Sequence, residues 1–263
     1  MRLPGCLGAV ALFLLTLLLA AGPAAAQTGG TCSALDDGHT KVTAVQARGR
    51  GTITVATDAG RAGQLVWVDY DGESFAARIA ANGQAALSMA LVSDSNQISV
   101  RGPEFSTVHC DLPAPDRAQY FRVVLRWRAP VRMNLHVVEP FRRMWEYGHI
   151  RPAEPGAPPP AGIGQIDIIT DAIAEDATGE QSYVIEDAAR PKDGVFTFRA
   201  EYASRGDKPA GDFCETGRFA DIEYDLTVLE PGKPAKIRKF RTGAMPCGRE
   251  LPPNVRFFSM KLR

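Results

Sequence analysis

Phe121-Arg122-Val123-Val124-Leu125-Arg126-Trp127-Arg128 is the stretch whose reading decides the fold. Phe121, Val123, Leu125 and Trp127 fall on one side of an extended chain, and Arg122, Val124, Arg126 and Arg128 fall on the other. A period of two with a large apolar row is the pattern of a strand with one face on a core, since a helix would scatter these rows around its axis. Further runs of the same kind follow at 135–138, 165–170, 183–185, 195–202, 222–228 and 236–240. Only Asp171 to Ala177 tolerates a helix, and it is short.

Upstream, short strands are separated by turn residues. Thr52 to Val55 alternates, Leu65 to Val68 reads as a more buried run, and Asp71-Gly72 turns the chain into Ser74 to Ile79. Asn82-Gly83 is expected to close a second hairpin into Ala85 to Leu91, followed by strands at 97–100 and 105–110. Strands every 8–12 residues with polar turns predict an all-β chain of two β-sandwich domains, the first immunoglobulin-like. The first is placed at 30–112, the linker at 113–118 (Pro113-Ala114-Pro115-Asp116-Arg117-Ala118), and the second at 119–263. Within the second lie a long Pro-rich loop at 151–164 and a C-terminal hairpin. That loop holds Pro152, Pro155, Pro158, Pro159 and Pro160, none of which can donate to a ladder.

The N-terminus predicts the compartment. Arg2 precedes an apolar run from Leu7 to Ala21, Gly22-Pro23 breaks it, and Ala24-Ala25-Ala26 supplies a small-residue cleavage site before Gln27. Residues 1–26 therefore read as a signal peptide, and the mature protein as periplasmic or secreted with no integral membrane segment. Cys6 lies in that leader, leaving Cys32, Cys110, Cys214 and Cys247. Four cysteines allow three connectivities. Pairing Cys32 with Cys110 and Cys214 with Cys247 respects the domain boundary, and the absence of Cys-x-x-Cys spacing argues against zinc.

Thirty basic and thirty acidic residues give zero net charge, so no global field draws a nucleic acid. Nine Lys and Arg against one Glu in residues 233–263 is the strongest local bias. A hairpin turning at Pro231-Gly232, with Lys236 and Arg238 opposite Asp221, Glu223 and Asp225, accounts for it through cross-strand pairing.

The order Leu125-Arg126-Trp127, Asn134-Leu135-His136-Val137-Val138-Glu139-Pro140, Tyr147-Gly148-His149, Gly164-Gln165-Ile166-Asp167 and Asp193-Gly194-Val195-Phe196 resembles an uncharacterised family of bacterial secreted or periplasmic β-sandwich domains. The hallmark of that family is Asp-Leu-His-Val-x-Glu-Pro, and the resemblance covers roughly residues 121–202. It implies an envelope location and a non-catalytic sandwich. Where the family carries acidic residues around this strand, Arg132, Met133 and Asn134 stand here. Glu139 and Asp167 alone fall short of the six to eight oxygens of a calcium site, so neither a metal nor another cofactor is expected.

Two functional classes follow. The first is a non-catalytic binding or scaffold protein whose partner is an envelope protein or glycan, held by Trp145, Tyr147 and His149 beside the stiff 151–164 loop. The second is an envelope-polymer hydrolase using His136, Glu139, His149 and Asp167. No Gly-x-Ser-x-Gly, His-Glu-x-x-His or P-loop motif occurs, which favours the first.

Overall fold

The computed structural model describes residues 27–33, 38–102, 104–117, 120–138, 144–146, 149–150, 164–186, 194–203, 219–246 and 258–262. In the first half the strands are β1 (Thr28–Gly29), β2 (Thr31–Cys32), β3 (Lys41–Ala47), β4 (Arg50–Ala56), β5 (Leu65–Tyr70), β6 (Glu73–Arg78), β7 (Gln84–Ala90), β8 (Asn96–Gly102) and β9 (Phe105–Leu112). They form two antiparallel sheets, ordered β1-β3-β4-β7 and β2-β9-β8-β5-β6. Inward-pointing Ile53, Val55, Val66, Val68, Phe75, Leu87, Met89, Ile98 and Val100 pack between them. Cys32 stands directly opposite Cys110 in the β2–β9 ladder, and the two are joined as a disulfide. Closing a loop of 78 residues raises the free energy of the unfolded chain by about 4–5 kcal/mol in the chain-entropy model. Cys214 and Cys247 lie outside the described residues, as does the 1–26 leader.

Asp71 (φ 55°) and Gly72 (φ 79°) turn β5 into β6 as the Asp-Gly pair predicts. Asn82-Gly83 does not close a hairpin. β6 pairs with β5 in one sheet and β7 pairs with β4 in the other, so this turn carries the chain between sheets. Its glycine (φ 77°) lies so close to the chain before it that a Cβ would sit 2.1 Å from the Thr57 carbonyl oxygen. The Thr57 amide donates to the Gly83 carbonyl at 2.8 Å, which ties the corner down.

In the second half the strands are β10 (Phe121–Arg128), β11 (Arg132–Val138), β12 (Met144–Glu146), β13 (His149–Ile150), β14 (Gln165–Thr170), β15 (Thr178–Ile185), β16 (Gly194–Ala203), β17 (Phe219–Leu229), β18 (Lys236–Pro246) and β19 (Phe258–Leu262). One sheet runs β14-β15-β10-β17-β18 and the other β13-β12-β11-β16-β19. Phe121, Val123, Leu125 and Trp127 point into the space between them and meet Met133, Leu135, Val137, Phe196, Phe198, Ile222, Tyr224 and Leu226. Fully burying such a side chain stabilises by about 1.5–3 kcal/mol relative to leaving it in water. Trp127 is accommodated because Gly179 stands opposite it in the ladder, where a Cβ would come within 2.1 Å of the indole. Its ring nitrogen donates to the Val131 carbonyl at 2.7 Å. Asp171 to Ala177 forms a turn instead of a helix, with the Ala177 amide donating to the Ala174 carbonyl. Among the described residues the one helical segment is a single 3-10 turn at Ala59–Arg61.

The C-terminal hairpin turns at Pro231-Gly232, but its register differs from the expected one. Lys236 and Arg238 stand opposite Val228 and Leu226, while Lys239 faces Asp225 and Arg241 faces Glu223. The Lys233 amide closes the turn on the Glu230 carbonyl, and Lys236 instead pairs with Glu230 at 2.5 Å. An irregularity between Asp221 and Glu223 shifts the ladder beyond.

Candidate functional site

The arginine face of β10 is the principal polar constellation of the described residues, and all of it but Arg128 is buried. Arg122 is 1% exposed, Arg126 3% and Glu180 0%. This face is covered by the first sandwich. The Arg126 Nε donates to Glu180 Oε2 at 2.7 Å, and its Nη2 donates to the Ala90 carbonyl at 2.9 Å. The other Glu180 oxygen accepts the Ala90 amide at 2.6 Å. Ala90 ends β7, the edge strand of its sheet, so one ion pair from the second sandwich satisfies both main-chain groups there. Thr170 Oγ1 extends the same capping to the Ser88 carbonyl at 2.8 Å. The Arg126 guanidinium also lies 5.8 Å from the Tyr70 ring centre and 5.6 Å from that of Phe75.

Two further arginines complete the contact. Arg122 Nη1 donates to Asp167 Oδ1 at 2.7 Å and to Ser182 Oγ at 2.6 Å, while its Nη2 reaches the Arg48 carbonyl at 3.1 Å. Arg128 bonds Glu73 of β6, whose second oxygen accepts from Thr178 Oγ1 at 2.9 Å. Tyr120 packs over Gly49 (φ 73°), where a Cβ would meet its hydroxyl at 2.1 Å. Apolar Tyr120, Val124, Ile168, Val184 and Leu229 join the core of the first sandwich from the second-half side. The 113–118 stretch therefore separates two chain segments that are packed together across charge-assisted hydrogen bonds.

Burial shifts the acids of this face. Loss of solvent pushes the Glu180 carboxyl above its ordinary range, opposed by Arg126 and the Ala90 amide. Asp225, opposite Arg126 on the other side of β10, is pushed up for the same reason and opposed by Arg126 and Arg128. Desolvation alone would lower Arg126, but the Glu180 carboxylate, together with Tyr70 and Asp225, outweighs it and holds the guanidinium above its usual value.

The three described residues of the hydrolase reading, His136, His149 and Asp167, are spread over both sheets. His136 lies on β11 and is buried, opposite Arg199 of β16 in the ladder. Asp167 belongs to β14 in the other sheet, where its Oδ1 accepts from Arg122 and Ser182. Glu139, Tyr147 and the loop 151–163 lie outside the described residues. Trp145 pairs with Val137 and Ile150, and His149 with Glu146, which places His149 on the edge strand β13 and Trp145 on the strand beside it. No group of three or more His, Cys, Asp and Glu among the described residues is arranged to hold a metal ion. No helix among them is long and apolar enough to cross a membrane.

A second polar constellation, which the sequence reading missed, occupies the outer face of the β2-β9-β8-β5-β6 sheet. Leu65 and Trp67 were expected in a buried run, but only Val66, Val68 and Tyr70 face inward, and Leu65 and Trp67 are half-buried on the outer face. With Gln64, Arg101 and Gly102 they line an open groove of about 390 Å³. The Arg101 guanidinium lies 5.0 Å from the Trp67 ring centre, and its Nε donates to Asp69 Oδ2 at 2.9 Å. One ladder row beyond, Asp69, Ser99 and His109 stand side by side, with Ser99 Oγ 3.1 Å from His109 Nδ1. The period of two of an extended strand was the available signal, since placing Val66 and Val68 inside forces Trp67 out.

The chain matches no family model, no curated protein and no solved structure.

Proposed function

We propose that the chain is an exported, non-catalytic binding or scaffold module of the bacterial envelope. The observation that carries this reading is where the charged side chains go. Buried Arg122, Arg126 and Glu180 are engaged in joining the two sandwiches, and half-buried Asp167, the one described carboxylate of the hydrolase set, is held within its own sheet by Arg122 and Ser182. A catalytic carboxylate needs reach to a substrate in a cleft, and Asp167 spends its contacts inside the fold. The strand order β1-β3-β4-β7 over β2-β9-β8-β5-β6, with the chain crossing between sheets after β4, β6 and β7, supports an immunoglobulin-like first domain. The resemblance of residues 121–202 to secreted bacterial sandwich domains, the leader at 1–26 and the Cys32–Cys110 bond all support an oxidising compartment.

Cell fractionation with N-terminal mass determination tests the export. The expected product begins at Gln27, sits in the periplasm or medium, and carries no free thiol. A cytoplasmic chain that retains its leader overturns the reading. Crosslinking in the intact envelope then tests the binding role, and a chain that crosslinks to neither protein nor glycan counts against it.

A further inference from the structure

We propose that the groove on the outer face of the first sandwich, built from Gln64, Leu65, Trp67 and Arg101, is a binding site for a carboxylate-bearing saccharide. This rests on the reading of the chain as an exported binding module and adds to it the chemical class of the ligand. Three observations carry it. Arg101 is anchored on two sides, by Asp69 at its Nε and by the Trp67 ring against its face, while Ser74 in turn bonds Asp69. Its two terminal nitrogens have no partner among the described residues and present a fixed fork of donors, which matches a carboxylate in two parallel hydrogen bonds.

The second observation is an orphaned acceptor. Gln64 Nε2 donates to Glu104 at 3.3 Å, but the Gln64 Oε1 is buried without a hydrogen-bond partner among the described residues. A buried acceptor left unmatched is unfavourable, and rotation of the Gln64 amide, held only by its 3.3 Å bond to Glu104, would turn that acceptor toward a ligand hydroxyl in the groove. The third is charge. Among the described residues around the groove Arg61, Arg78 and Arg101 stand against Asp69 and Glu104, with Arg61 pairing Glu104 at 3.1 Å, so these five groups carry a net positive charge. A cavity of about 390 Å³ lies in the size range of small-ligand sites, and Leu65 and Trp67 give it an apolar wall for the C–H face of a sugar ring.

A peptide with a free carboxylate shares part of this chemistry, but the groove does not suit one. Strand-like peptide capture uses the unpaired main-chain groups of a sheet edge. The groove lies over β5 and β8, which are both flanked by strands on either side. Most main-chain groups there are therefore already paired, and recognition falls chiefly to side chains, as a saccharide requires.

Isothermal titration of the mature, disulfide-bonded chain with trigalacturonate and with its methyl ester tests the site. A fragment carrying muramic acid serves as a third probe, separating a peptidoglycan source from a uronate polysaccharide. The expected result is binding of at least one carboxylate form, at least tenfold weaker binding of the ester, and loss of that difference in Arg101→Gln. Arg101→Lys keeps the charge without the fork and should bind at an intermediate level. Both variants should melt within a few degrees of the parent, since the side chain is half exposed. Equal affinity for acid and ester, no effect of Arg101→Gln, or no binding of any carboxylate probe overturns the inference. Failure of all probes in a chain that is exported and crosslinks in the envelope removes the saccharide and leaves the module. A cytoplasmic chain that binds trigalacturonate removes the module and leaves the site.

Discussion

Strand β10 has two faces that do different work with neighbouring residues. Across the sheet at Trp127 the row reads Gly179, Trp127, Tyr224, Phe240, and it builds the core of the second sandwich. One residue earlier the row reads Glu180, Arg126, Asp225, Lys239, and it faces the first sandwich. The apolar row is held by contact area and tolerates change in proportion to volume. The charged row is held by matched hydrogen bonds, in which each group is expensive once its partner is removed. The comparison teaches that burial in this molecule has two currencies, and that the joint between the sandwiches depends on the less forgiving one.

The largest expected effect comes from breaking the charged row. Glu180→Ala leaves Arg126 and the Ala90 amide buried without their acceptor, and should destabilise by about 3–5 kcal/mol in denaturant melts. The pair replacement Arg126→Met with Glu180→Leu removes both charges, yet leaves the Ala90 amide and carbonyl unmatched. It should recover part of the loss and remain about 1–3 kcal/mol below the parent. Full recovery in the double variant would mean that the edge capping of β7 contributes nothing.

On the apolar row, Gly179→Ala pushes a methyl group into the Trp127 indole and should destabilise by about 1–3 kcal/mol, with a change in Trp emission. An unchanged melt would show that the ring has room to move. Tyr224→Phe works in the opposite direction. The Tyr224 hydroxyl is buried without a hydrogen-bond partner among the described residues, and burial pushes its pKa up to about 12. Removing it should leave stability equal or raise it by about 1 kcal/mol at neutral pH. Because the folded value lies above the unfolded one, near 10, ionisation of this group leaves the parent's stability unchanged below pH 10 and lowers it as pH rises toward 12. Phe at this position should flatten that alkaline decline.

The smallest effect lies at the open end of the sheet. Arg241 and Glu223 approach to 3.7 Å, with both side chains largely exposed. Arg241→Ala should shift stability by less than about 1 kcal/mol, and 0.5 M salt should erase the difference. A larger or salt-resistant loss would place this pair with the buried row.

Legibility followed the range of the interactions. The 165–170 strand was read at its true bounds, and the Asp71-Gly72 turn, the Pro231-Gly232 turn and the Cys32–Cys110 pairing were each read correctly. Each depends on residues close in sequence, or on the even count of cysteines in two halves. The Asn82-Gly83 turn was misread because the same dipeptide suits a hairpin and a corner, and the choice is made by Thr57, some 25 residues earlier. Lys236 and Arg238 were matched to the wrong partners because register depends on where the turn closes, and one residue of slip exchanges the faces. The Trp67–Arg101 groove stayed hidden because its walls come from β5 and β8, which are neighbours only once the sheet has formed.

From the sequence alone came the all-β class and the apolar row of β10, since side-chain alternation is a local property of an extended chain and survives any arrangement of strands. The same alternation placed Arg122, Arg126 and Arg128 together on the opposite face, without saying what they would meet. Their partners were decided by tertiary structure. A guanidinium is stable in water or where the interior matches its donors, and the approach of Ala90 and Asp71 from the other sandwich selects the second state for Arg126, while Arg128 meets Glu73 and stays partly in water.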